Sequence, residues 1–192
     1  FSYEMLYEQY QLVKNNTGVE SFYSNKNHYT RWEGRTNFFE WCELLGIKVD
    51  QSKGPSKCGT TGFPFGSAHP WQAMDADGHL IDCLEISFQC QDLGLQGPSD
   101  IGPELLEAVK NVNGVAHLIF HPAHSAKPEV NKLMCEFINK AKEMGALFMT
   151  SKEIGEWVFN KKIFVENGTG KINGAVIQAR DTTNNKWIPQ EN

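Results

Sequence analysis

The chain lacks most of the short signatures that announce a chemistry. Its five cysteines, Cys42, Cys58, Cys83, Cys90 and Cys135, form no CxxC pair, which argues against a structural zinc site. No HExxH, GxSxG or Walker-type glycine loop is present, so the common metalloprotease, serine hydrolase and nucleotide-binding routes find no support. No apolar run approaches the ~20 residues that a bilayer-spanning helix needs. Positive charge is scarce: 18 Lys and Arg stand against 23 Asp and Glu, a net charge of -5, the wrong sign for a nucleic-acid partner. Internal repeats and low-complexity segments are absent as well. The odd cysteine count leaves at least one thiol unpaired within the chain and does not reveal the compartment. The opening FSYEM, without an initiating Met or a charged-then-apolar leader, is expected of a mature or excised piece.

What the sequence does have is VAHLIFHPAH, Val115 to His124. This apolar run ends abruptly in His121, Pro122 and His124, the pattern of a buried parallel strand that delivers an imidazole to a cleft. Ligands of α/β proteins bind beyond the carboxyl ends of such strands. Pro122 cannot donate to a ladder and so ends the strand.

The rest of the chain alternates in the same way. Met5, Leu6, Tyr10 and Val13 recur at helical spacing and predict a helix from Tyr3, stopped by Asn15–Gly18. A strand is expected over Val19–Tyr23, then a helix capped by Thr36 with Phe38, Phe39, Trp41 and Leu44 on its apolar face, then a strand Ile47–Asp50. Trp71–Met74, a DG turn at Asp77-Gly78, and His79–Phe88 predict a hairpin. A helix capped by Ser99 or Asp100 is expected before Asn113-Gly114 and another over Lys127–Met144, with a short strand at Ala146–Met149 and a last helix from Ser151. After residue 160 the pattern turns to short β segments separated by Asn-Gly and Thr-Asn turns. The expected fold is therefore α/β, parallel strands with flanking helices over residues 1–160, and a small β-rich tail or start of a following module over 161–192.

Polar residues at strand exits are the candidates for chemistry: His28 and Arg31, Asp50, Asp92, and His121 with His124. A carboxylate beside a histidine there can form an acid/base pair. Asp92 reads chiefly as a turn initiator, a common use of Asp after a strand.

The ordered set KNHYTRW, GIKVDQS, GFPFGSAHPW, LEISFQCQD, HLIFHPAH and GALFMTSKEIGEW resembles the carboxyl-terminal part of a polysaccharide deacetylase domain, the family named for the NodB chitooligosaccharide deacetylase. The resemblance implies a partial or distorted (β/α) barrel that hydrolyses N- or O-acetyl groups on a glycan with a divalent metal, zinc above all. It implies His121 as general acid and Asp50 as the aspartate that tunes it; Trp32 and Trp71, whose aromatic faces can stack on sugar rings, and His28 and His124 at strand exits are the candidate substrate-binding residues. Lys26 falls where the family generally has an arginine. The family's early acidic pair and its HxxxH-type motif are absent, so the metal ligands are expected to be missing from this chain. Further strands would then have to come from elsewhere, such as a complementary chain or oligomer partner. A non-catalytic carbohydrate-binding or structural module on the same scaffold is the alternative. A secreted, periplasmic or cell-surface setting accords with a glycan substrate.

Overall fold

The computed structural model describes residues 1–55, 61–93 and 101–160, together with the backbone of strands in the segment 161–192. The chain divides into two compact units, Phe1–Gly155 and Glu156–Asn192. The first opens with helix α1 (Tyr3–Thr17), whose start is capped by the Ser2 hydroxyl and whose end is closed by Gly18 in the left-handed region. Strand β1 (Ser24–Asn25) leads through a single 3₁₀ turn, His28–Thr30, to helix α2 (Asn37–Leu44) and strand β2 (Val49–Asp50). A hairpin of β3 (Trp71–Met74) and β4 (Leu80–Glu85) follows, then β5 (Cys90–Gln91), helix α3 (Ile101–Asn111) and β6 (Leu118–Ile119). The unit continues through α4 (Pro122–Ser125) and α5 (Pro128–Glu143), and into α6 (Ser151–Phe159).

The main sheet has the order β1-β2-β4-β3, parallel except for the β3–β4 hairpin, and β5 pairs with β6 in parallel as a separate ladder. Among the described residues the fold is thus mixed α/β with six helices and mostly parallel pairing in the first unit, and no sheet closes on itself. Two apolar clusters hold it together. Phe38, Phe39 and Cys42 of α2 pack on Ile81 and Cys83 of β4 with Leu6 of α1. Leu105 and Val109 of α3 pack on Cys90 and Leu93, with Phe137 of α5 against them. Each fully buried phenylalanine contributes roughly 1.5–3 kcal/mol through the water it leaves, so α2 is anchored chiefly by Phe38 and Phe39.

Several local expectations shift. The strand expected at Val19–Tyr23 forms one turn later, at Ser24–Asn25. Ala146–Met149 is not a strand, and Leu147 is 85% exposed there, because no neighbouring strand among the described residues offers it a ladder. Thr36 precedes α2 as expected, but its hydroxyl donates to Glu40 Oε1 at 2.7 Å instead of capping the backbone. The cap expected at Ser99 or Asp100 lies outside the described residues. In the second unit β7 (Val165–Glu166), β8 (Thr169–Ile172) and β9 (Ala175–Gln178) form an antiparallel meander, and β10 (Arg180–Asp181) pairs with β11 (Lys186–Trp187).

Candidate functional site

Register brings the site residues together. Gln91 of β5 is opposite Ile119 of β6, so the residues that leave the two strands, Asp92 and His121, emerge side by side. The Asp92 amide donates to Ile119 O at 2.8 Å. Its backbone then turns into the left-handed region at φ 43, a conformation that Asp tolerates better than most residues. Pro122 starts α4 directly after His121, and that single turn of helix brings His124 back over the same carboxylate.

Asp92 is fully buried and accepts three hydrogen bonds. The His121 amide donates to Oδ1 at 2.7 Å, while the Nδ1 atoms of His121 and His124 lie 2.5 and 3.0 Å from Oδ2. Burial alone would raise this carboxyl, but the bonds from His124 and from the backbone and ring of His121 outweigh it and hold the group below the usual carboxylate range. With each Nδ1–H given to the carboxylate, both rings keep Nε2 for the solvent side, where each side chain is about 40% exposed.

Both rings line an open groove of about 530 Å³, with Lys26, Asn27, His28, Tyr29 and Thr30 on the opposite wall and Gln91 and Ile119 between. Tyr29 and Thr30 have φ values of 57 and 54, and the Tyr29 ring is 87% exposed and lies 4.2 Å from the His28 ring. Among the described residues, three of the four non-glycine residues with positive φ, Tyr29, Thr30 and Asp92, therefore belong to this one place, as backbone strain commonly does at binding sites.

The pairing expected for His121 is corrected: its carboxylate is Asp92, not Asp50. Asp50 ends β2, which is bonded to β1 and β4 and not to β6. It is fully buried and accepts from Asn25 Nδ2 at 2.8 Å, the Ser52 amide at 2.9 Å and the Ser52 hydroxyl at 2.9 Å. Its register partner on β4 is Glu85, also fully buried. Burial and the neighbouring Asp50 carboxylate push the Glu85 carboxyl well above its ordinary range. Glu85 Oε2 meets no donor, which is the state of an oxygen that would carry a proton toward Asp50.

Trp32 and Trp71 do not line this groove. Trp32 packs on Phe38 and Phe39 with the Lys53 ammonium 3.6 Å above its ring, and Trp71 packs on Phe39 and donates Nε1–H to Ser87 Oγ at 3.2 Å. His28 and His124 do line the groove.

Asp92, His121 and His124 bring their ligand atoms within 4.8 Å of one another and could hold a metal ion. A candidate donor set is therefore in this chain after all. One carboxylate and two imidazoles suit zinc and similar borderline cations. The separations of 2.5 and 3.0 Å are hydrogen-bond distances; two ligands on one tetrahedral ion with ~2.0–2.1 Å bonds stand roughly 3.3 Å apart. An ion would therefore take this trio in place of its hydrogen bonds.

Two residues near Lys26 escaped the sequence reading. His117 lies inside the apolar run that ends at His121, and Glu85 ends β4; each reads as a polar interruption of a buried segment, a signal worth more than its length suggests. Comparison with protein-family models, curated proteins and solved structures finds no match to this chain.

Proposed function

We propose that this chain carries the proton-donating side of a carbohydrate deacetylase site, on a scaffold that is part of a (β/α) barrel. The observation that supports it is the His121 imidazole, oriented by a buried carboxylate and presented on a groove at the carboxyl ends of parallel strands. Water adds to the acetyl carbonyl and loses one proton to solvent, and the bond to the sugar nitrogen or oxygen breaks. The His121 imidazolium passes its Nε2–H proton to the departing atom, to be reprotonated from solvent for the next cycle. Asp92 keeps Nδ1 protonated and stabilises the imidazolium before that transfer. The amide and hydroxyl groups of Asn27, Thr30 and Gln91 offer hydrogen bonds to sugar hydroxyls, and the exposed Tyr29 ring offers a face for a pyranose. Where a divalent metal is held, Asp92, His121 and His124 would hold it, and its chemistry is polarisation of the acetyl carbonyl. Strands from a complementary chain would add to an open sheet edge. No described helix is long and apolar enough to cross a membrane.

The test is acetate release from acetylated chitooligosaccharides and acetylated xylan by the whole chain, with and without a chelator. Acetate release that His121→Ala lowers by roughly 10²–10⁴ supports the reading. Release unaffected by His121→Ala sinks it. Saturable sugar binding with no release assigns the groove to a non-catalytic binding module instead. Loss of release on chelation, restored by zinc in the wild type but not in His124→Ala, gives the trio to the metal and takes the proton-donor role from His121.

A further inference from the structure

We infer that Lys26 is the anion anchor of this groove: its ammonium holds the acyl oxygen of the ligand, the atom that becomes negative as water adds, across from His121. The inference rests on the deacetylase reading for the identity of that oxygen, but not for the anchor itself.

The geometry that carries it is the way Lys26 is held. Lys26 follows β1 and lines the groove with His121 and His124. Its Nζ lies 3.3 Å from His117 Nε2. His117 Nδ1 is 2.8 Å from Ile86 O, and a carbonyl only accepts, so the ring proton is on Nδ1 and Nε2 is a bare acceptor for one Lys26 N–H. The face of Phe88 lies 4.9 Å from the ammonium. Among the described residues no carboxylate stands within ion-pair distance of Nζ. The charges around it are Asp50 and Glu85 from beneath, neutral His117 beside it, and His28, His121 and His124 along the groove.

A lysine kept only to balance Asp50 and Glu85 would sit in contact with one of them. This one is instead open to the groove and braced by a neutral acceptor and an aromatic face, with two N–H donors left for a ligand. A cation fixed in that way stabilises developing negative charge without reorganising. Burial lowers its pKa to about 8, against the pull of Asp50 and Glu85, so it remains mostly protonated at pH 7. His117 is pushed down to about 4, by burial first and Lys26 second, and so stays an acceptor throughout the neutral range.

Acetate is the probe, being both the product of deacetylation and a carboxylate. Lysine-labelled whole chain is titrated with sodium acetate at pH 7 against sodium chloride of equal ionic strength, reading the Lys26 side-chain resonance. The expected result is a saturable shift with acetate alone, lost on Lys26→Gln and Lys26→Met with at least tenfold weaker binding, and kept within threefold on Lys26→Arg. Far-ultraviolet dichroism and the Asp92-bonded imidazole resonances confirm that each variant is folded. Acetate that binds Lys26→Gln as well as the wild type, or that acts no differently from chloride, overturns the anchor. If no acetylated sugar is hydrolysed but acetate still reports on Lys26, the deacetylase reading falls and the anchor stands. If sugars are hydrolysed and Lys26→Gln changes neither kcat nor acetate affinity, the anchor falls and the reading stands.

Discussion

Asp50 and Asp92 are both fully buried aspartates at the carboxyl ends of short parallel strands, yet they serve opposite ends. Asp50 spends its acceptors on Asn25 of the adjacent strand and on Ser52 two residues along. Those bonds tie off a strand end, and the partners are groups with no useful proton. Asp92 spends its acceptors on two imidazoles from beyond β6, rings that keep a second nitrogen free and line a groove. The lesson is that a carboxylate's role is set by what its lone pairs face, and this depends on strand order more than on the residue.

The largest expected effect comes from exchanging the two roles. Asp92→Ala leaves both imidazoles without their orienting acceptor and should lower acetate release by roughly 10²–10⁴, measured per folded molecule. Asp50→Ala strands three donors and should cost roughly 3 kcal/mol or more in urea unfolding, while release per folded molecule stays within about threefold of the wild type. A loss of release as deep at Asp50 as at Asp92 would erase the distinction.

The two regions should also part under pH. His117 has a folded pKa of about 4 and an unfolded value of ~6.5. A depressed histidine contributes its stability in full above the unfolded value and loses it as pH falls through the folded one. The difference amounts to roughly 3 kcal/mol lost between pH 6.5 and 4. Asp92, also held low, adds its acid loss below that range, as pH falls from the unfolded carboxyl value through the folded one. Glu85 has the opposite sign: its raised carboxyl contributes stability below the unfolded value and loses it as pH rises through the folded one. Urea midpoints between pH 4 and 8 should show His117→Gln flattening the acid side and Glu85→Gln the neutral side. An acid limb unchanged in His117→Gln would remove that histidine's buried neutral state from the account.

Much of this was open to the sequence, and the gaps have physical causes. Hydrophobic period placed α1, α2 and α5 and the β3–β4 hairpin, because each buries a face whose repeat is local. His121 was legible because an apolar run ending in His-Pro has few other uses. Its partner was not. Asp50 and Asp92 obey the same local rule, and only the β5–β6 pairing, a contact between distant segments, decides which of them meets His121. The meeting of Lys26 with His117 was opaque for the same reason, since the tautomer that braces the ammonium is fixed by Ile86 O, just past the end of β4. The partial barrel expected here goes beyond the mixed α/β arrangement of open sheets, and the strand expected at Ala146–Met149 failed for want of a partner, which local pattern does not report.

The smallest expected effect concerns the aromatic residues. Trp32 and Trp71 read as sugar platforms from type alone, whereas Tyr29 is the ring that the groove exposes. Trp32 Nε1–H is buried without an acceptor, so its indole carries a polar cost inside the cluster of Phe38 and Phe39. Trp32→Phe removes that orphan donor, worth ~1–3 kcal/mol, but loses ring area of comparable value, and the two should nearly cancel. Stability is expected within about 1 kcal/mol of the wild type, with sugar affinity unchanged. Tyr29→Ala should do the reverse, leaving the urea midpoint in place and weakening sugar binding severalfold. If Trp32→Phe instead weakens sugar binding while Tyr29→Ala does not, the ligand lies against the α2 side of the sheet, and the groove beside Asp92 is not its seat.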